Sequence, residues 1–313
     1  MENELSEYKV LKMRNIDLDS LHIFKAVVDC GGITKAAAFL NRVQSNVTTR
    51  VQQLEERLEV KLFRRQSGKL VLSSEGKLLL AYAERLLRLA SEAESAMRSG
   101  TPRGVLRIGT MESTAATRLP PLLSCYHRNY PEVQVELVTG TSSALLRKVH
   151  GFEIDAAFIA EPFTPDELET QQAFIEELVL ISGKGTPMVK TPKDLLKRTV
   201  IAFTAGCSYR RILEDWLGKS GVVPDRVLEL GSYHAIVACV AAGSGMAIMP
   251  RSVLQALNTA TEVTAFALPP RVAQTKTFLV WRADHHSVAL DALRSDLTEL
   301  GRRSTSLKKP ALQ

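Results

Sequence analysis

Two helical patterns separated by only three residues constrain the fold of this 313-residue chain more than any other feature. Lys35–Leu40 is predicted to be a short, alanine-rich helix that Thr34 could cap. Gln44–Leu58 is predicted to be a longer helix with apolar residues along one face. Asn41-Arg42-Val43, between them, leaves room only for a tight turn. A short helix, a three-residue turn and an amphipathic helix predict a helix-turn-helix.

A further helix is predicted immediately before this pair, from Asp17 to Val28. Either Asp17 or Asp19 could cap it, and Cys30-Gly31-Gly32 ends it, because glycine readily adopts the left-handed conformation that closes helices. The residues before it carry no clear folding signal, so the N-terminal domain is predicted to span residues 17–76. The predicted buried side of the helix consists of Leu18, Leu21, Phe24, Ala26, Val27 and Val28.

The second helix of a helix-turn-helix enters the major groove of DNA with its first residues at the base edges. Glutamine and asparagine can pair with adenine, and arginine can pair with guanine or a phosphate. The alternative is a plain solvent-exposed face, which every amphipathic helix has. We predict contacts to double-stranded DNA from polar side chains of both helices, namely Thr34, Lys35, Gln44, Ser45, Asn46, Thr48, Thr49 and Arg50.

The following segment, Lys61–Leu72, is predicted to form a β-hairpin wing, because two short β-prone pieces flank a polar turn at Ser67-Gly68. The positive charge of the chain, concentrated in its N-terminal part, indicates an anionic partner. The chain carries a formal net charge of +6, and residues 34–77 hold nine basic and four acidic residues. Phosphate contacts position a protein without specifying sequence. The wing residues predicted to make them are Arg64, Arg65 and Lys69.

A long helix is predicted from Ser74 to about Ser99, with residues 77–99 as a linker. Apolar residues recur there at alternating spacings of three and four, which is the pattern of a coiled-coil seam. A helix lying on its own domain is the alternative. We favour a homodimer, because so isolated a seam needs a partner. The predicted contact residues are Leu79, Tyr82, Leu86, Leu89, Ala93 and Ala96.

The pattern changes after Ser99-Gly100-Thr101-Pro102, which is typical of a linker. Short apolar runs then alternate with amphipathic helices such as Tyr209–Ser220 and Tyr233–Ala242. This alternation predicts an α/β domain of residues 105–301 with mainly parallel sheets, long enough for two lobes. The predicted strands are Val105–Gly109, Val133–Thr139, Asp155–Ala160, Glu177–Ser182, Thr199–Phe203, Val227–Leu230, Met246–Met249 and Lys276–Trp281.

Several classes of protein lack their sequence signatures here. The four cysteines form no CxxC pair or Cys/His cluster, so no metal site is predicted. The chain has no P-loop, and Gly243-Ser244-Gly245 lacks the spacing of a hydrolase nucleophile elbow, so we expect neither a cofactor nor enzymatic activity. The sequence shows neither a secretory signal nor a membrane-length apolar stretch. We therefore expect a cytoplasmic protein without a membrane partner, rather than a transporter's solute-binding receptor.

The N-terminal residues resemble those of the LysR-type transcriptional regulators, and with the larger domain the resemblance covers roughly residues 17–300. That family usually has proline where Ser45 stands and serine where Thr48 stands. An arginine often follows that serine, whereas here Arg50 comes one residue later, and Gly68 occupies a wing position that is commonly basic. These departures concern recognition of individual bases and leave the fold unaffected. The matching residues are Ile33–Leu40, Gln44, Val47, Thr48, Leu54–Glu56, Leu62–Arg65, Leu72, Ser73 and Gly76.

The resemblance implies a winged helix-turn-helix, a linker helix and a two-lobed effector domain like a periplasmic binding protein, with two strands crossing between the lobes. By pattern, lobe one comprises residues 105–161 and 268–301, and lobe two comprises residues 162–267. It also implies a small-molecule effector between the lobes, at the strand ends. Dimers of this family commonly pair again, so a homotetramer is expected.

Four loops that follow strands are predicted to line the cleft. Their hydroxyl residues stand at helix N-termini, where free N–H groups and the helix dipole favour anions. Ordinary helix capping is the alternative for any one loop. We expect a small anionic or polyhydroxylated metabolite. The predicted contact residues are Thr110, Met111, Glu112, Ser113, Thr114, Thr141, Ser142, Thr204, Cys207, Ser208, Tyr209, Arg210, Ser232, Tyr233 and His234.

Three of these loop residues have open interpretations. Arg210 and His234 could pair with an effector carboxylate or be structural. Cys207 could be a redox switch with Cys239 as its partner, although we favour an unreactive small residue in the cleft wall.

Overall fold

The computed structural model describes residues 16–66, 69–97, 100–187, 189, 191–195 and 199–306, without the side chains of residues 95, 96 and 303–306. The chain divides into two compact units, Met1–Arg98 and Ser99–Gln313. The described part of the first unit contains α1 (Leu18–Asp29), α2 (Ile33–Phe39), α3 (Gln44–Leu58), β1 (Phe63–Gln66), β2 (Lys69–Leu72) and α4 (Ser74–Met97).

The helix-turn-helix and the hairpin strands predicted from the sequence are present. β1 and β2 pair antiparallel, with Phe63 opposite Leu72 and Gln66 opposite Lys69. The predicted turn at Ser67-Gly68 lies outside the described residues. The small side chains of Ala36 and Ala37 are buried, so α2 packs closely against its neighbours. A second apolar cluster joins α1, α3 and α4 through Leu21, Phe24, Leu54, Leu62, Leu79 and Ala83.

Two local predictions for this unit are wrong. Thr34 does not cap α2, because the helix begins one residue earlier, at Ile33, and no side chain within the described ranges caps it. Leu18 was predicted on the buried side of α1 but is 48% exposed. It is the first residue of α1, and the buried side of the helix starts two residues later, at Ser20.

Asp17 is the residue that caps α1. Its Oδ1 accepts a hydrogen bond from the backbone N–H of Ser20 at 2.7 Å, and its Oδ2 accepts one from Nη1 of Arg57 at 2.8 Å. Burial raises the pKa of this carboxyl, but the hydrogen bonds from Ser20 and Arg57 outweigh burial and lower the pKa to about 2. The charged carboxylate therefore stabilises the start of α1 and its contact with α3.

Asp17→Ala is expected to destabilise the N-terminal unit by about 1 kcal/mol, the usual cost of losing a helix cap. The folded-state pKa lies below the ordinary value of 3.8, so this stabilisation is present above about pH 4 and is lost as the pH falls towards 2. Urea unfolding of variant and wild type across this pH range measures it. Asp19→Ala removes a carboxylate that pairs with Arg42, and an equal pH-dependent loss in that control would contradict the assignment.

The second unit alternates strands with helices, as predicted. Its described elements are β3 (Gly104–Thr110), α5 (Glu112–Thr117), α6 (Leu119–Asn129), β4 (Val133–Thr139), α7 (Ser142–His150), β5 (Ala156–Ala160), β6 (Leu168–Gly183), a 3-10 turn (Pro192–Leu195), β7 (Thr199–Phe203), α8 (Ser208–Gly218), β8 (Arg226–Leu230), α9 (Tyr233–Ala241), β9 (Ala247–Pro250), α10 (Arg251–Ala256), β10 (Val263–Ala267), α11 (Pro270–Ala273), β11 (Gln274–Arg282) and α12 (Val288–Ser306).

One sheet runs through this unit in the order β10-β6-β11-β5-β3-β4, with β9 also paired to β6. β3 is parallel to β4 and β5. β7 and β8 form a second parallel pair, and a bridge between Val200 and Met246 connects β7 to the start of β9. β11 pairs with residues 168–177 of β6, whereas β9 and β10 pair with residues 178–183. The long strand β6 therefore passes from one half of the unit to the other.

The prediction of mainly parallel sheets is wrong for part of this topology, because β6, β9, β10 and β11 pair antiparallel. In addition, β10 and the first half of β6 were not predicted from the sequence. The segment Glu169–Gln172 in that half is polar and mostly exposed, so it offers no apolar run. Its strand conformation comes from pairing with β11, which lies about a hundred residues later in the chain.

Apolar clusters lie in both halves of this unit and also between them. β3, β5 and β11 pack on α6 and α12, and β6 and β9 pack on α9 and α10. A further cluster combines Leu145 and Val149 of α7 with Tyr209 and Leu213 of α8. This contact brings the N-termini of α7 and α8, and the loops before them, close to each other.

Candidate DNA-binding surface and effector cleft

The turn between α2 and α3 leaves the start of α3 open to solvent. Asn41 has a left-handed backbone (φ 51°), and the hydroxyl of Thr34 donates to Oε1 of Gln44 at 3.3 Å, which ties the two helix starts together. Val47, Val51 and Leu54 bury the opposite face of α3. Thr48 and Arg50 are half-buried, and the other predicted contacts on these helices are exposed: Thr34, Lys35, Gln44, Ser45, Asn46 and Thr49.

The two arginines beside this surface share a carboxylate. Asp19 on α1 pairs with Arg42 at 2.8 Å and lies 3.9 Å from Arg50. The ion pair between Asp19 and Arg50 places the Arg50 guanidinium at the flank of α3. In a complex with DNA, a phosphate or a guanine edge would replace the partly exposed Asp19 carboxylate as the partner of Arg50.

The predicted basic residues of the wing are all exposed, but they do not share one face. Side chains alternate along a strand, and the register pairs Arg64 with Val71 and Arg65 with Leu70. Arg64 therefore lies on the same face as Lys69, and Arg65 lies on the other. One DNA strand cannot contact all three residues in the same way, so single variants are needed to separate them.

Glu55 connects α3 to the wing and was not among the predicted functional residues. It is buried, with 7% of its surface exposed. Its Oε1 accepts from the backbone N–H groups of Leu62 at 2.9 Å and Phe63 at 3.2 Å, and its Oε2 accepts from Nζ of Lys61 at 2.7 Å. Glu55 is thus a positioning residue, because it fixes where β1 starts relative to the helix that carries the predicted base contacts.

The apolar row on α4 is shifted from its predicted position. Leu79 packs in the core of its own unit and is 8% exposed, so its assignment to the seam is wrong, whereas Leu78 is 62% exposed. The first turns of α4 pack on α1, which explains the shift. The side chain of Ala96 lies outside the described residues. The exposed apolar row consists of Leu78, Tyr82, Leu86, Leu89, Ala93 and Met97.

The four predicted effector loops converge, but only some of their side chains reach a common cavity. That inner cavity has a volume of about 20 Å³ in this structure, room for about one water molecule. Thr110 lies behind it, fully buried, with its Oγ1 donating to the carbonyl of Met111 at 3.2 Å. The inner cavity's lining does not include Thr114, Thr204, Arg210, Ser232 or His234. It is lined by Met111, Glu112, Ser113, Gly140, Thr141, Ser142, Phe203, Cys207, Ser208, Tyr209 and Tyr233.

Hydroxyls that line the inner cavity are hydrogen-bonded to one another and to a backbone carbonyl. Ser208 Oγ donates to the carbonyl of Ala160 at 2.7 Å and is hydrogen-bonded to Ser142 Oγ at 2.9 Å. Ser113 Oγ lies 3.5 Å from the hydroxyl of Tyr209. Burial raises the pKa of Tyr209, so its hydroxyl stays neutral. The N-termini of α7 and α8 thus meet through Ser142 and Ser208, which are their first residues.

Charged side chains are arranged differently from the prediction. Arg210 donates to Glu214, to Glu229 and to the carbonyl of Phe203, and it faces an outer groove rather than the inner cavity. His234 is exposed. Burial raises the pKa of Glu112, although the backbone N–H of Tyr233 opposes the shift. Hydroxyls, the N-termini of α7 and α8 and the carboxyl group of Glu112 therefore meet at the inner cavity.

Cys207 lies in the wall of the inner cavity as a free thiol. Burial raises its pKa, so the reactive thiolate is disfavoured at neutral pH. Cys239 packs against a different apolar cluster. These observations favour a wall residue over a redox switch.

The described residues contain neither a candidate membrane span nor a candidate metal-binding cluster. No helix among them is long and apolar enough to cross a bilayer. The same residues contain no cluster of three or more histidine, cysteine or acidic side chains that could hold a metal ion.

A winged helix-turn-helix joined to a two-lobed α/β unit defines a DNA-binding regulator that carries its own ligand-binding domain. Residues 18–77 match the family described as "Bacterial regulatory helix-turn-helix protein, lysR family", and residues 99–302 match the family described as "LysR substrate binding domain". The chain belongs to the LysR family of bacterial transcriptional regulators.

Individual relatives agree with this assignment. The chain is 41% identical to the uncharacterized HTH-type transcriptional regulator YusT of Bacillus subtilis, covering 88% of this chain and 92% of YusT. It is 35% identical to the transcriptional regulator GltR of the same organism, covering 94% and 99%. A full-length OxyR variant from Pseudomonas aeruginosa (20% identity, TM-score 0.69, covering 90% and 95%) shares the fold. Full-length CbnR in complex with its target DNA (22% identity, TM-score 0.66, covering 91% and 99%) shares it too.

Proposed function

We propose that this regulator binds duplex DNA through α3 and the wing, and that a small anionic or polyhydroxylated metabolite bound between the lobes controls that binding. The observation that carries the proposal is the exposed polar start of α3 beside an exposed basic wing. The inner cavity supports the second half, because hydroxyls and two helix N-termini meet there. A ligand changes DNA affinity when it prefers one arrangement of the protein over another.

We propose three functional segments within the chain. These are a DNA-binding domain (17–76), a dimerisation helix (77–99) and an effector domain (105–301) with lobe one at 105–161 plus 268–301 and lobe two at 162–267. The exposed apolar row on α4 supports a homodimer. Exposed apolar residues on the edge strands β4 and β8, such as Leu137 (44%) and Val227 (50%), support a second contact and hence a homotetramer. Since its target is promoter DNA, the protein acts in the cytoplasm.

Arg50→Ala and Arg65→Ala are each expected to weaken binding to a promoter fragment about tenfold, the effect of losing one charge-assisted hydrogen bond. Affinity should also fall steeply with salt, because phosphate contacts release counterions. Fluorescence anisotropy at several salt concentrations measures both effects. Arg147→Ala, which removes a charge from α7 in the other unit, is the matched control. Wild-type affinity in both test variants would show that the DNA surface lies elsewhere.

Thr110→Val and Ser208→Ala are each expected to reduce the transcriptional response while basal DNA binding persists. The first change keeps the side-chain shape but removes the hydroxyl that donates to the carbonyl of Met111, a residue of the cavity lining. The second removes the donor to Ala160. A thermal-shift screen of organic acids and sugars tests wild type and both variants, with the exposed Ser220→Ala as control. Stabilising ligands that are all cationic or wholly apolar, or variants that respond like wild type, would refute the cleft assignment.

A further inference from the structure

We propose that Val43 determines part of the operator sequence by contacting the 5-methyl group of a thymine in the major groove. This inference rests on the proposed DNA-binding function and adds a residue to it. Val43 is the residue directly before α3, and 69% of its surface is exposed. A large apolar side chain therefore stands in solvent at the end of the helix that is proposed to enter the groove.

The chemistry of this position is unusual for a helix start. The residue before a helix is commonly Ser, Thr, Asp or Asn, whose side chain bonds to a free backbone N–H of the first turn. Val43 has the extended backbone of such a residue (φ −74°, ψ 146°), yet no side chain in the described part of the chain makes this bond for α3. This position therefore lacks a capping hydroxyl, and the two methyl groups of Val43 lie at the surface instead.

The neighbouring residues direct this side chain towards DNA. Gln44, Ser45 and Asn46 follow it and are all exposed, and in a helix-turn-helix the first residues of the second helix stand at the base edges. The backbone of Asn41 is left-handed and the hydroxyl of Thr34 holds Gln44, so the position of Val43 is fixed by local contacts on both sides.

Thymine provides the matching group. On the major-groove edges of the four bases, thymine alone presents a methyl group, and apolar side chains recognise it by contact. Cytosine and both purines offer polar atoms there, which an isopropyl group cannot satisfy. An exposed valine at this position thus favours thymine at one base pair of each half-site.

Phe39 is the competing candidate. It ends α2 on the other side of the turn and is also 69% exposed. It lies one turn along α2 from Lys35, on the first helix of the pair, whereas the first residues of the second helix are the ones that stand at the base edges. The variant Phe39→Ala therefore separates the two possibilities.

The experiment uses the full-length protein and an operator selected from random duplexes. Each thymine of that operator is replaced in turn by deoxyuridine, which lacks only the methyl group. At one thymine per half-site, wild-type affinity should fall about fourfold, which corresponds to the burial of one methyl group. Val43→Ala should bind the thymine and deoxyuridine operators equally, whereas Val43→Thr, which retains one methyl group, should keep part of the difference.

The possible outcomes distinguish this inference from the function on which it rests. Selection of no preferred sequence would overturn both. An operator whose affinity is insensitive to every thymine replacement would overturn the role of Val43 alone. The same holds if Val43→Ala keeps the full wild-type preference, or if Phe39→Ala abolishes it. Circular dichroism checks that each variant is folded, which is expected because the side chain is exposed.

Discussion

Leu89→Glu is expected to convert the protein to a monomer at micromolar concentration and to reduce its affinity for a two-half-site operator at least about 100-fold. Leu89 is 59% exposed in the middle of the apolar row on α4. Pairing of two such rows would bury apolar surface along a helix of 24 residues, roughly 36 Å long. A glutamate there would have to be buried without a partner, which costs more than the contact gains. Without the dimer, each recognition helix binds its half-site alone.

Light scattering and operator affinity, measured on the same preparations, test this prediction. Ser91→Glu adds the same charge to the opposite side of α4, where Ser91 is exposed, and it should leave both the mass and the affinity unchanged. Leu79→Glu is a different case, because Leu79 lies in the core of its own unit and its replacement should unfold that unit. A Leu89→Glu variant that stays dimeric would place the subunit contact elsewhere.

The shifted seam shows what spacing in a sequence can and cannot establish. A repeat of three and four residues places an apolar stripe on α4, and the structure has one. Leu78 and Leu79 both fit such a stripe at its start, since neighbouring residues differ by only about 100° around a helix. Which of them is buried depends on the packing of Leu21 and Phe24 from α1, a contact between segments that the periodicity does not specify.

The elements that were predicted correctly depend on local sequence signals, whereas the elements that were missed depend on contacts between distant segments. The helix-turn-helix depends on local signals, namely Asp17, the Gly31-Gly32 break and the three-residue turn, and it was predicted correctly. The first half of β6 depends on a distant partner strand and was not. In the cleft, the sequence identified the loops but not the directions of their side chains. Arg210 is bound by Glu229, nineteen residues away, which no local pattern reveals.

Glu55→Ala is expected to destabilise the N-terminal unit by about 2–4 kcal/mol, because it leaves the buried N–H of Leu62 and the partly buried N–H of Phe63 without their acceptor. The Lys61 ammonium would lose its partner as well, but that group is at the surface and adds little. Since Glu55 links α3 to β1, the wing should also lose its fixed position. DNA affinity should therefore fall even at temperatures where the unit remains folded.

Hydrogen exchange on the full-length protein gives the sharpest readout, because the amides of Leu62 and Phe63 should exchange faster in Glu55→Ala before other amides of the unit do. Glu56→Ala is the matched control, since Glu56 is the exposed neighbour on the same helix and its loss should leave those amides protected. Glu55→Gln retains an oxygen acceptor and should recover most of the stability. Unchanged protection of both amides in Glu55→Ala would mean that the carboxylate does not hold the wing.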